Sequence, residues 1–500
     1  MEPEINVSRK YASSGKYDQL REELLQKGGL FQDAEFPANY HSLCNHDHGD
    51  VTKSYPDCSY VNCTWKRPKE ICKNPKFVAD GFSRFDLDQG TLGDCWFVAA
   101  AAAVAMQETH LAKVIPEGQS FTEGEYAGIF RFNFWHFGEW TEVVIDDRLP
   151  YMEFLGLGYL VLTQNQENRA EQVEFWPALL EKAYAKLYGG YHRLVGGKIQ
   201  DALVDLTGGC GQTVATSAVP YHEMASWIKS PQILLGCSIR VRLIIKSQRE
   251  LGNTEGLSPK HAYSVTGCLQ ISLGTESARL LRLRDPRGHT DWKGDWSDGS
   301  PLWQKVKKED LVKRGPDRSK TEGEFWISYD DFKRKFDEIA LCHLVEDKGA
   351  QAWCQQKHLG MWTPSKEQEV IQAKFIKHPQ YHLQIKDRAS GHQGDQHDVI
   401  VSVMRVRGGL QKCVHDIGFD VFQPQGKTVK DKHDIAKYTD WGKLPGVLPP
   451  ATKYREVSAY FRATPGDYCV VPKAFQPEQG SYFLIRFVTD GDLHSHEIRE

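Results

Sequence analysis

Apolar residues recur at helical spacing in the first part of the chain and at strand spacing in the remainder. Helical patterns cover residues 17–26, the alanine-rich run after Cys95, and residues 174–188. Strand-like patterns cover residues 127–135 and 140–145 between those helices. The chain is therefore predicted to be an α+β protein.

The second half of the chain is rich in predicted strands. Short apolar runs separated by turns occupy residues 233–239, 261–266 and 280–284. After about residue 350, further strands are predicted at 381–385, 399–403, 418–422, 468–471 and 483–487. Their regular spacing and the Gly and Pro turns between them favour an antiparallel β-sandwich.

Composition narrows the class of protein. A length of 500 residues predicts three or four units at a prior of about 150 residues per domain. The charges are mixed, with a net charge of −4, so no nucleic-acid partner is expected. The acidic start of the chain lacks an apolar core, and the 12 scattered cysteines are typical of reduced thiols, so we predict a cytoplasmic protein.

The segment Gln89-Gly-Thr-Leu-Gly-Asp-Cys95-Trp96 carries the strongest chemical signal. It delivers a cysteine to the first turn of a helix, where unpaired N–H groups and the helix dipole favour a thiolate. Gln89 lies six residues earlier and is predicted to stabilise an oxyanion together with the Cys95 N–H. The alternative is a small buried cysteine that opens a core helix.

A cysteine nucleophile needs a base and a group that orients the base. His261 begins an apolar strand, and Asp285 follows the next strand, 24 residues later. Neighbouring strands with a short connection pair naturally, so these two side chains are predicted to meet. The alternative for His261 is a structural histidine.

Several long motifs resemble those of the calpains, which are calcium-dependent, papain-like cysteine proteases. The matching segments are Gln89-Gly-Thr-Leu-Gly-Asp-Cys-Trp, Tyr126-Ala-Gly-Ile-Phe, Phe134-Trp-His-Phe-Gly-Glu-Trp, Val144-Ile-Asp-Asp-Arg-Leu-Pro, Glu174-Phe-Trp-Pro-Ala-Leu-Leu-Glu-Lys-Ala-Tyr-Ala-Lys, His261-Ala-Tyr-Ser-Val-Thr, Gly323-Glu-Phe-Trp, Tyr454-Arg-Glu-Val and Pro465-Gly-Asp-Tyr-Cys-Val-Val-Pro-Lys-Ala-Phe-Gln-Pro.

The resemblance implies a fold and an activity. It implies a two-lobed papain-like core followed by a C2-like antiparallel β-sandwich. The expected segments are an N-terminal segment (1–75), lobe 1 with the nucleophile (76–200), β-rich lobe 2 (201–345) and the sandwich (355–500). The implied function is calcium-activated, intracellular, limited proteolysis of protein substrates through Cys95, His261 and Asp285.

One motif departs from the family pattern. The resemblance predicts Asn-Pro-Trp-Gly, whereas this chain has Asp285-Pro286-Arg287-Gly288. A carboxylate can accept the histidine N–H and favours the imidazolium form. Arg287, however, replaces an apolar shield with a cation that can compete for Asp285. The alternative function is therefore a catalytically impaired calpain homologue that acts as a calcium-responsive binding protein.

The resemblance also implies two calcium sites. The expected first-lobe ligands are the carbonyls of Ala79 and Gly81 and the carboxylates of Asp86 and Glu174. The expected second-lobe ligands are Asp291, Asp298, Glu322, Glu324 and the carbonyl of Lys320. Oxygen ligands in loops suit Ca2+. Without calcium the lobes are expected to lie apart, and Arg84 and Glu324 are expected to bridge them when they close.

Three further features of the chain carry weaker signals. Cys44, His46, His48, Cys58 and Cys63 suggest a zinc cluster, although their spacing is irregular. The basic loop at 427–432 suggests weak phospholipid contact by the sandwich, with a solvated surface loop as the alternative. No EF-hand motif is present, so no EF-hand small subunit is expected as a partner.

Overall fold

The computed structural model describes residues 16–44, 63–151, 173–240, 255–289, 292–314, 323–346, 352–362, 378–388, 395–406, 416–423, 442–443, 454–474 and 481–498. These residues divide into two compact units. The first unit contains the described residues up to His136, from Trp140 to Thr207, and from Thr213 to Cys342. The second contains 137–139, 208–212 and the described residues from His343 onward.

All the described α-helices lie in the first unit. They are α1 Lys16–Lys27, α2 Tyr40–Leu43, α3 Pro68–Ile71, α4 Cys95–Val104, α5 Glu108–Val114, α6 Trp176–Tyr188, α7 Ile199–Thr207, α8 Tyr221–Lys229, α9 Lys308–Arg314 and α10 Tyr329–Lys335.

Strands of the first half of the chain are short or paired as hairpins, and those after residue 209 build a larger sheet. In chain order they are β1 Thr64–Lys66, β2 Pro75–Lys76, β3 Ile129–His136, β4 Glu139–Asp146, β5 Leu149–Tyr151, β6 Val173–Glu174, β7 Cys210–Ala215, β8 Ile233–Ile239, β9 His261–Ser272, β10 Ser277–Arg284, β11 Glu324–Ser328 and β12 Glu338–His343.

Helix α4 is the centre of the first unit. It is apolar on all sides, and its residues 96–102 are buried, as expected of a helix enclosed by protein. It packs against α7 and β9, and Ser264 Oγ on β9 donates a hydrogen bond to the Ala99 carbonyl at 2.9 Å. The small alanine side chains allow this close approach, which fixes the start of α4 near the start of β9.

Helix α6 covers α4 and carries two buried cations. It begins at Trp176 because Pro177 suits a first helical turn, and it ends at Gly189, whose φ of +88° is a left-handed cap. Lys182 Nζ lies 2.6 Å from Asp146 Oδ1, and Lys186 Nζ lies 2.8 Å from Asp33 Oδ2. These buried lysines are tolerated because each has a carboxylate partner.

The main sheet of the first unit has six described strands in the order β11-β10-β9-β8-β12-β7. Strands β8, β9 and β10 pair antiparallel, with Ile239 opposite His261 and Arg284 opposite Ser264. One end of this sheet therefore holds the start of β9, the end of β8 and the start of β12. The candidate site lies at that end.

The second unit is an antiparallel β-sandwich. Its strands are β13 Cys354–Met361, β14 Tyr381–Lys386, β15 His397–Arg405, β16 Ile417–Gln423, β17 Gly442–Lys443, β18 Glu456–Ala463, β19 Gly466–Ala474, β20 Tyr482–Thr489 and β21 Asp492–Glu497. They form one sheet in the order β13-β20-β15-β18 and another in the order β17-β16-β19-β14-β21. Alternate residues of both sheets, including Leu383, Val401 and Ile485, form the buried core between them.

The α+β class and the antiparallel sandwich that the sequence predicts are confirmed. The predicted helix at 174–188 starts later, because Glu174 pairs in the short parallel bridge of β2 with β6. The proposed segment boundaries at 75, 200 and 345 stay predictions.

None of the described helices is both long enough and apolar enough to cross a membrane.

Candidate active site

The predicted nucleophile lies at the first position of α4. Asp94 precedes it as the N-cap residue, and its carbonyl accepts hydrogen bonds from the N–H groups of Phe97 and Val98 at 2.8 and 3.2 Å. The Ala262 N–H on β9 also donates a hydrogen bond to the Cys95 sulfur. Ala262, which follows the predicted base His261, therefore contacts the predicted nucleophile Cys95.

His261 and Asp285 form the predicted pair. His261 Nε2 lies 2.8 Å from Asp285 Oδ1, and both side chains are buried. A carboxylate only accepts, so Nε2 carries the proton and Nδ1 of the neutral ring is left as the basic nitrogen. The Tyr263 ring lies edge-on against the imidazole, with centroids 4.9 Å apart, and restricts its orientation.

Cys95 and His261 line the same cavity, whose volume is about 260 Å³. The wall also includes the glycines 93, 196 and 197, which leave room beside the cysteine. The structure thus brings together a thiol, an imidazole and an orienting carboxylate, which is the set of groups needed for nucleophilic acyl transfer.

The expectation that Cys95 has a lowered pKa is wrong for this arrangement. The pKa of the Cys95 thiol is raised to about 11, mainly by burial and to a smaller extent by the nearby carboxylates of Asp94 and Asp285. The Ala262 and Trp96 N–H groups oppose this shift without cancelling it. The thiol therefore rests in its protonated form, and a base has to remove the proton.

The side chain of Gln89 bonds within its own loop. Its amide Nε2 donates to the Leu92 carbonyl at 2.7 Å, and the side chain also hydrogen-bonds to Asp94. Gln89 does not line the cavity that contains Cys95. Its backbone N–H donates to the Pro286 carbonyl at 2.7 Å, so the loop of the nucleophile is tied directly to the turn that carries Asp285.

Arg287 approaches Asp285 without displacing His261. The Arg287 backbone N–H donates to Asp285 Oδ1 at 3.0 Å, and its guanidinium Nε lies 3.9 Å from the same oxygen. The Arg287 side chain is 39% exposed, so water screens this charge. The turn also requires Gly288, because a Cβ at its φ of +74° would lie 2.3 Å from Asp88 Oδ1.

The first predicted calcium site contains two buried carboxylates that repel each other. Glu174 accepts a hydrogen bond from the Ala79 N–H, and Asp86 Oδ2 accepts one from the Ser83 N–H at 2.8 Å. Burial raises the pKa of Glu174 to about 7, with Asp86 contributing to the rise. A divalent cation would relieve this repulsion, so these oxygens and the adjacent loop with Gly81 fit such an ion.

The second predicted calcium site is only partly described. Asp291, Lys320 and Glu322 lie outside the described residues. Asp298 Oδ1 pairs with Arg314 Nη2 at 2.7 Å. Glu324 pairs with Arg84 instead. Among the residues that the structure describes, no group of three or more His, Cys, Asp or Glu side chains is arranged to hold a metal ion.

The ion pair predicted to bridge the two halves of the core is confirmed. Arg84 Nη2 lies 2.9 Å from Glu324 Oε1, and both side chains are largely buried. A second bridge is present nearby, where the fully buried Arg284 donates to the Leu87 carbonyl and to Asp88 Oδ1 at 2.9 and 3.0 Å. These contacts join the segment 84–88 to β10 and β11.

The described residues of the suggested zinc cluster, Cys44 and Cys63, do not support a zinc site. Cys44 is disulfide-bonded, so its sulfur is not available to a metal, and the reduced state that scattered cysteines favour does not hold at this position. Burial raises the pKa of the Cys63 thiol to about 12. His46, His48 and Cys58 lie outside the described residues, and so does the basic loop with Lys427, Lys430 and Lys432.

Sequence reasoning missed several residues of the site. Tyr263 could have been found, because it shares a strand face with His261 at a spacing of two. Lys198, Arg240 and Glu338 also line the cavity, but they lie before α7, after β8 and at the start of β12 and carry no local motif.

Two protein-family models match this chain. One, described as calpain family cysteine protease, matches residues 31–343. The other, described as calpain large subunit, domain III, matches residues 358–488. Together they cover both units of the structure and confirm the family predicted from the motifs.

Individual relatives agree with these models. The chain is 36% identical to calpain-9 of Homo sapiens over 493 residues, which is 96% of this chain and 68% of that protein. It is 36% identical to the calpain-1 catalytic subunit of Mus musculus over 509 residues, with 96% and 68% covered. It is 34% identical to calpain-8 of Rattus norvegicus over 506 residues, with 96% and 69% covered.

Proposed function

Because the chain belongs to the calpain family of cysteine proteases, we propose that it is a calcium-activated cytoplasmic endopeptidase that makes limited cuts in proteins. The observation that carries this proposal is the cavity shared by Cys95 and His261, with His261 Nε2 held 2.8 Å from Asp285. Each residue type needed for acyl transfer is present in a compatible arrangement.

In the proposed reaction, Nδ1 of His261 takes the thiol proton as the Cys95 sulfur attacks the peptide carbonyl carbon. The C–N bond then breaks, and His261 returns the proton to the leaving amine, which leaves a thioester on Cys95. Water, activated by His261, hydrolyses the thioester and releases the acid product. The Asp285 carboxylate stabilises the imidazolium that forms in each half of the reaction.

Oxyanion stabilisation is proposed for the Cys95 backbone N–H at the start of α4. Gln89 would contribute a second donor only after its amide turns away from the Leu92 carbonyl and Asp94, to which it is hydrogen-bonded in the structure. Loss of one such donor costs about 3 kcal/mol in related chemistry.

Calcium would bind at the loop of Ala79 and Gly81 with Asp86 and Glu174. Its role there would be to hold the first half of the core in the assembled arrangement. For the second site, Asp298, Glu324 and the predicted residues outside the described part of the chain remain the proposed ligands. Phospholipid contact by the sandwich and the absence of a small subunit also remain proposals.

Cleavage of casein tests the activity. The wild-type chain should cleave casein when calcium is added, and Cys95→Ser should not. Calcium-dependent cleavage by Cys95→Ser would refute the assignment of the nucleophile. Mass-spectrometric labelling of Cys95 by an epoxide, with calcium and with a chelator, tests the switch: equal labelling would show that calcium does not control assembly.

A second candidate function is a calcium-responsive binding protein with impaired catalysis. The observations that favour it are the Arg287 guanidinium 3.9 Å from Asp285 and the raised pKa of Cys95. The double variant Asp285→Asn with Arg287→Trp separates the two functions. A large gain in casein cleavage would indicate that Asp285 and Arg287 impair catalysis in the wild-type chain. Unchanged or lower cleavage would show that Asp285 and Arg287 are compatible with catalysis.

A further inference from the structure

The wall of the cavity that contains Cys95 carries more positive than negative charge. Three cations, Lys198, Arg240 and Lys260, line it together with a single carboxylate, Glu338. We call the three cations the basic wall. An excess of one sign of charge in a concave site attracts groups of the opposite sign.

The sheet topology explains why these residues meet. Arg240 follows the last residue of β8, and Lys260 precedes the first residue of β9, which is His261. Ile239 lies opposite His261 in the antiparallel pair, so the two cations flank one end of the same ladder. Glu338 opens β12, the other neighbour of β8, at that end.

Glu338 is shared by two of the cations. It pairs with Arg240, and its Oε2 lies 3.4 Å from Lys198 Nζ. Burial lowers the pKa of Lys198, and repulsion by Arg240 lowers it further, while Asp201 opposes the shift. Asp337 accepts a hydrogen bond from the Arg240 N–H, but neither Asp201 nor Asp337 lines the cavity. One carboxylate therefore faces two cations that repel each other.

Lys260 adds a third charge in an unusual conformation. Its φ is +53°, in the left-handed region that side-chain-bearing residues rarely adopt and that favours glycine. It is exposed, and it has no ion-pair partner within the described part of the chain. Non-glycine residues persist in such conformations mainly at functional sites. Here the conformation places a lysine directly before His261.

We propose that the basic wall selects peptide substrates that carry an aspartate or glutamate side chain close to the scissile bond. An acidic side chain in the cavity would approach Lys260 and reduce the repulsion between Lys198 and Arg240. This inference rests on the proposed protease activity and names the substrate class of the same site.

Matched peptides test the proposal. Each pair of fluorogenic peptides differs only by Glu or Gln at one position, and the pairs cover the three positions on each side of the scissile bond. The measured quantity is the ratio of kcat/KM for the Glu peptide to kcat/KM for the Gln peptide. The Glu peptide should be favoured about fivefold at one position, near the upper limit for a partly exposed ion pair. The ratio should fall as salt is added, because salt screens exposed charges.

Variants of Lys260 test whether this residue causes the preference for Glu peptides. In Lys260→Gln the ratio should decrease towards one, and Lys260→Glu should remove or reverse it. The matched control is Lys305→Gln, which removes an exposed cation outside the cavity and should leave the ratio at its wild-type value. A preference that survives Lys260→Glu unchanged would overturn the proposal.

Binding measurements keep the two proposals separate. Dissociation constants of the same peptides for the Cys95→Ser chain, from fluorescence anisotropy, report the preference without catalysis. Tighter binding of the Glu peptides, combined with no cleavage by the wild-type chain, would support the basic wall and contradict the proposed function. Equal constants for Glu and Gln peptides at every position would overturn the inference.

Discussion

Asp285→Ala removes the carboxylate that orients the proposed base. In the structure, Asp285 Oδ1 accepts the hydrogen bond of His261 Nε2 at 2.8 Å inside the protein. Hydrogen bonds that involve a charged partner contribute about 1.5–3 kcal/mol. If the imidazolium loses that amount in the transition state, kcat/KM falls roughly 10- to 150-fold, at about 1.4 kcal/mol for each factor of ten.

Asp285→Asn should retain much more activity than Asp285→Ala. The amide oxygen of asparagine can still accept the His261 N–H, although the charge that stabilises imidazolium is lost. The control is Asp330→Ala, which removes an exposed carboxylate from the first turn of α10.

The assay is the kcat/KM of all three variants and wild type on one fluorogenic peptide across a range of pH. Thermal unfolding of each variant checks that the fold is intact. A folded Asp285→Ala chain with wild-type kcat/KM and an unchanged pH profile would refute the role of Asp285. Equal losses in the alanine and asparagine variants would show that charge, and not hydrogen-bond geometry, dominates.

Three further predictions concern Cys95, Arg84 and the buried Glu456 of β18. Burial raises the pKa of Cys95 to about 11, so the rate of its alkylation by iodoacetamide should still increase with pH above pH 9 when no calcium is added. A rate that becomes constant below pH 7 would contradict this prediction, because it would indicate a preformed thiolate. Arg84→Ala should raise the calcium concentration for half-maximal activity about tenfold, because it breaks a buried ion pair with Glu324. Labelling of Cys95 at saturating calcium should stay nearly intact, because the reacting groups are not touched. An unchanged calcium requirement would exclude this ion pair from the switch. Burial raises the pKa of Glu456 from 4.5 to about 7, so the folded sandwich binds this proton more tightly than the unfolded chain does. The free energy of unfolding should therefore fall as the pH rises from 4.5 to about 7. The fall is at most about 3.5 kcal/mol, at about 1.4 kcal/mol per pH unit. Glu456→Gln should abolish it in urea titrations, and the same slope in that variant would contradict the assignment.

The parts of the site that the sequence predicts are those encoded by contiguous residues or by neighbouring strands. Cys95 could be placed at the start of a helix because a glycine-bracketed turn is followed directly by an alanine-rich run. His261 and Asp285 could be paired because a short connection joins β9 to β10, and antiparallel neighbours bring the ends of such strands together.

The features that escaped prediction depend on tertiary burial. The Cys95 pKa was expected to be low from its place in the helix, but enclosure by β9 and nearby carboxylates outweighs the helix terminus. The hydrogen bond of the Gln89 side chain to the Leu92 carbonyl depends on how the loop folds back on itself. The same holds for the basic wall, whose residues are brought together only by the order of strands in the sheet.

The short segment 208–212 has a consequence for any attempt to dissect this protein. It follows α7 directly in the chain and includes the first three residues of β7, yet it belongs to the sandwich unit. Cys210 packs in a cluster with Ile400 and Val488. The Gly211 carbonyl accepts a hydrogen bond from Ser458 Oγ at 2.6 Å.

A chain shortened after Cys342 would keep this segment and lose all of those partners. It would expose an apolar cluster residue and leave a buried carbonyl without its donor, each of which lowers stability. Residues 137–139 belong to the sandwich unit in the same way. Separating the first unit from the sandwich therefore requires redesigning two internal loops as well as choosing where to stop. A simple truncation is expected to yield an insoluble or poorly folded product.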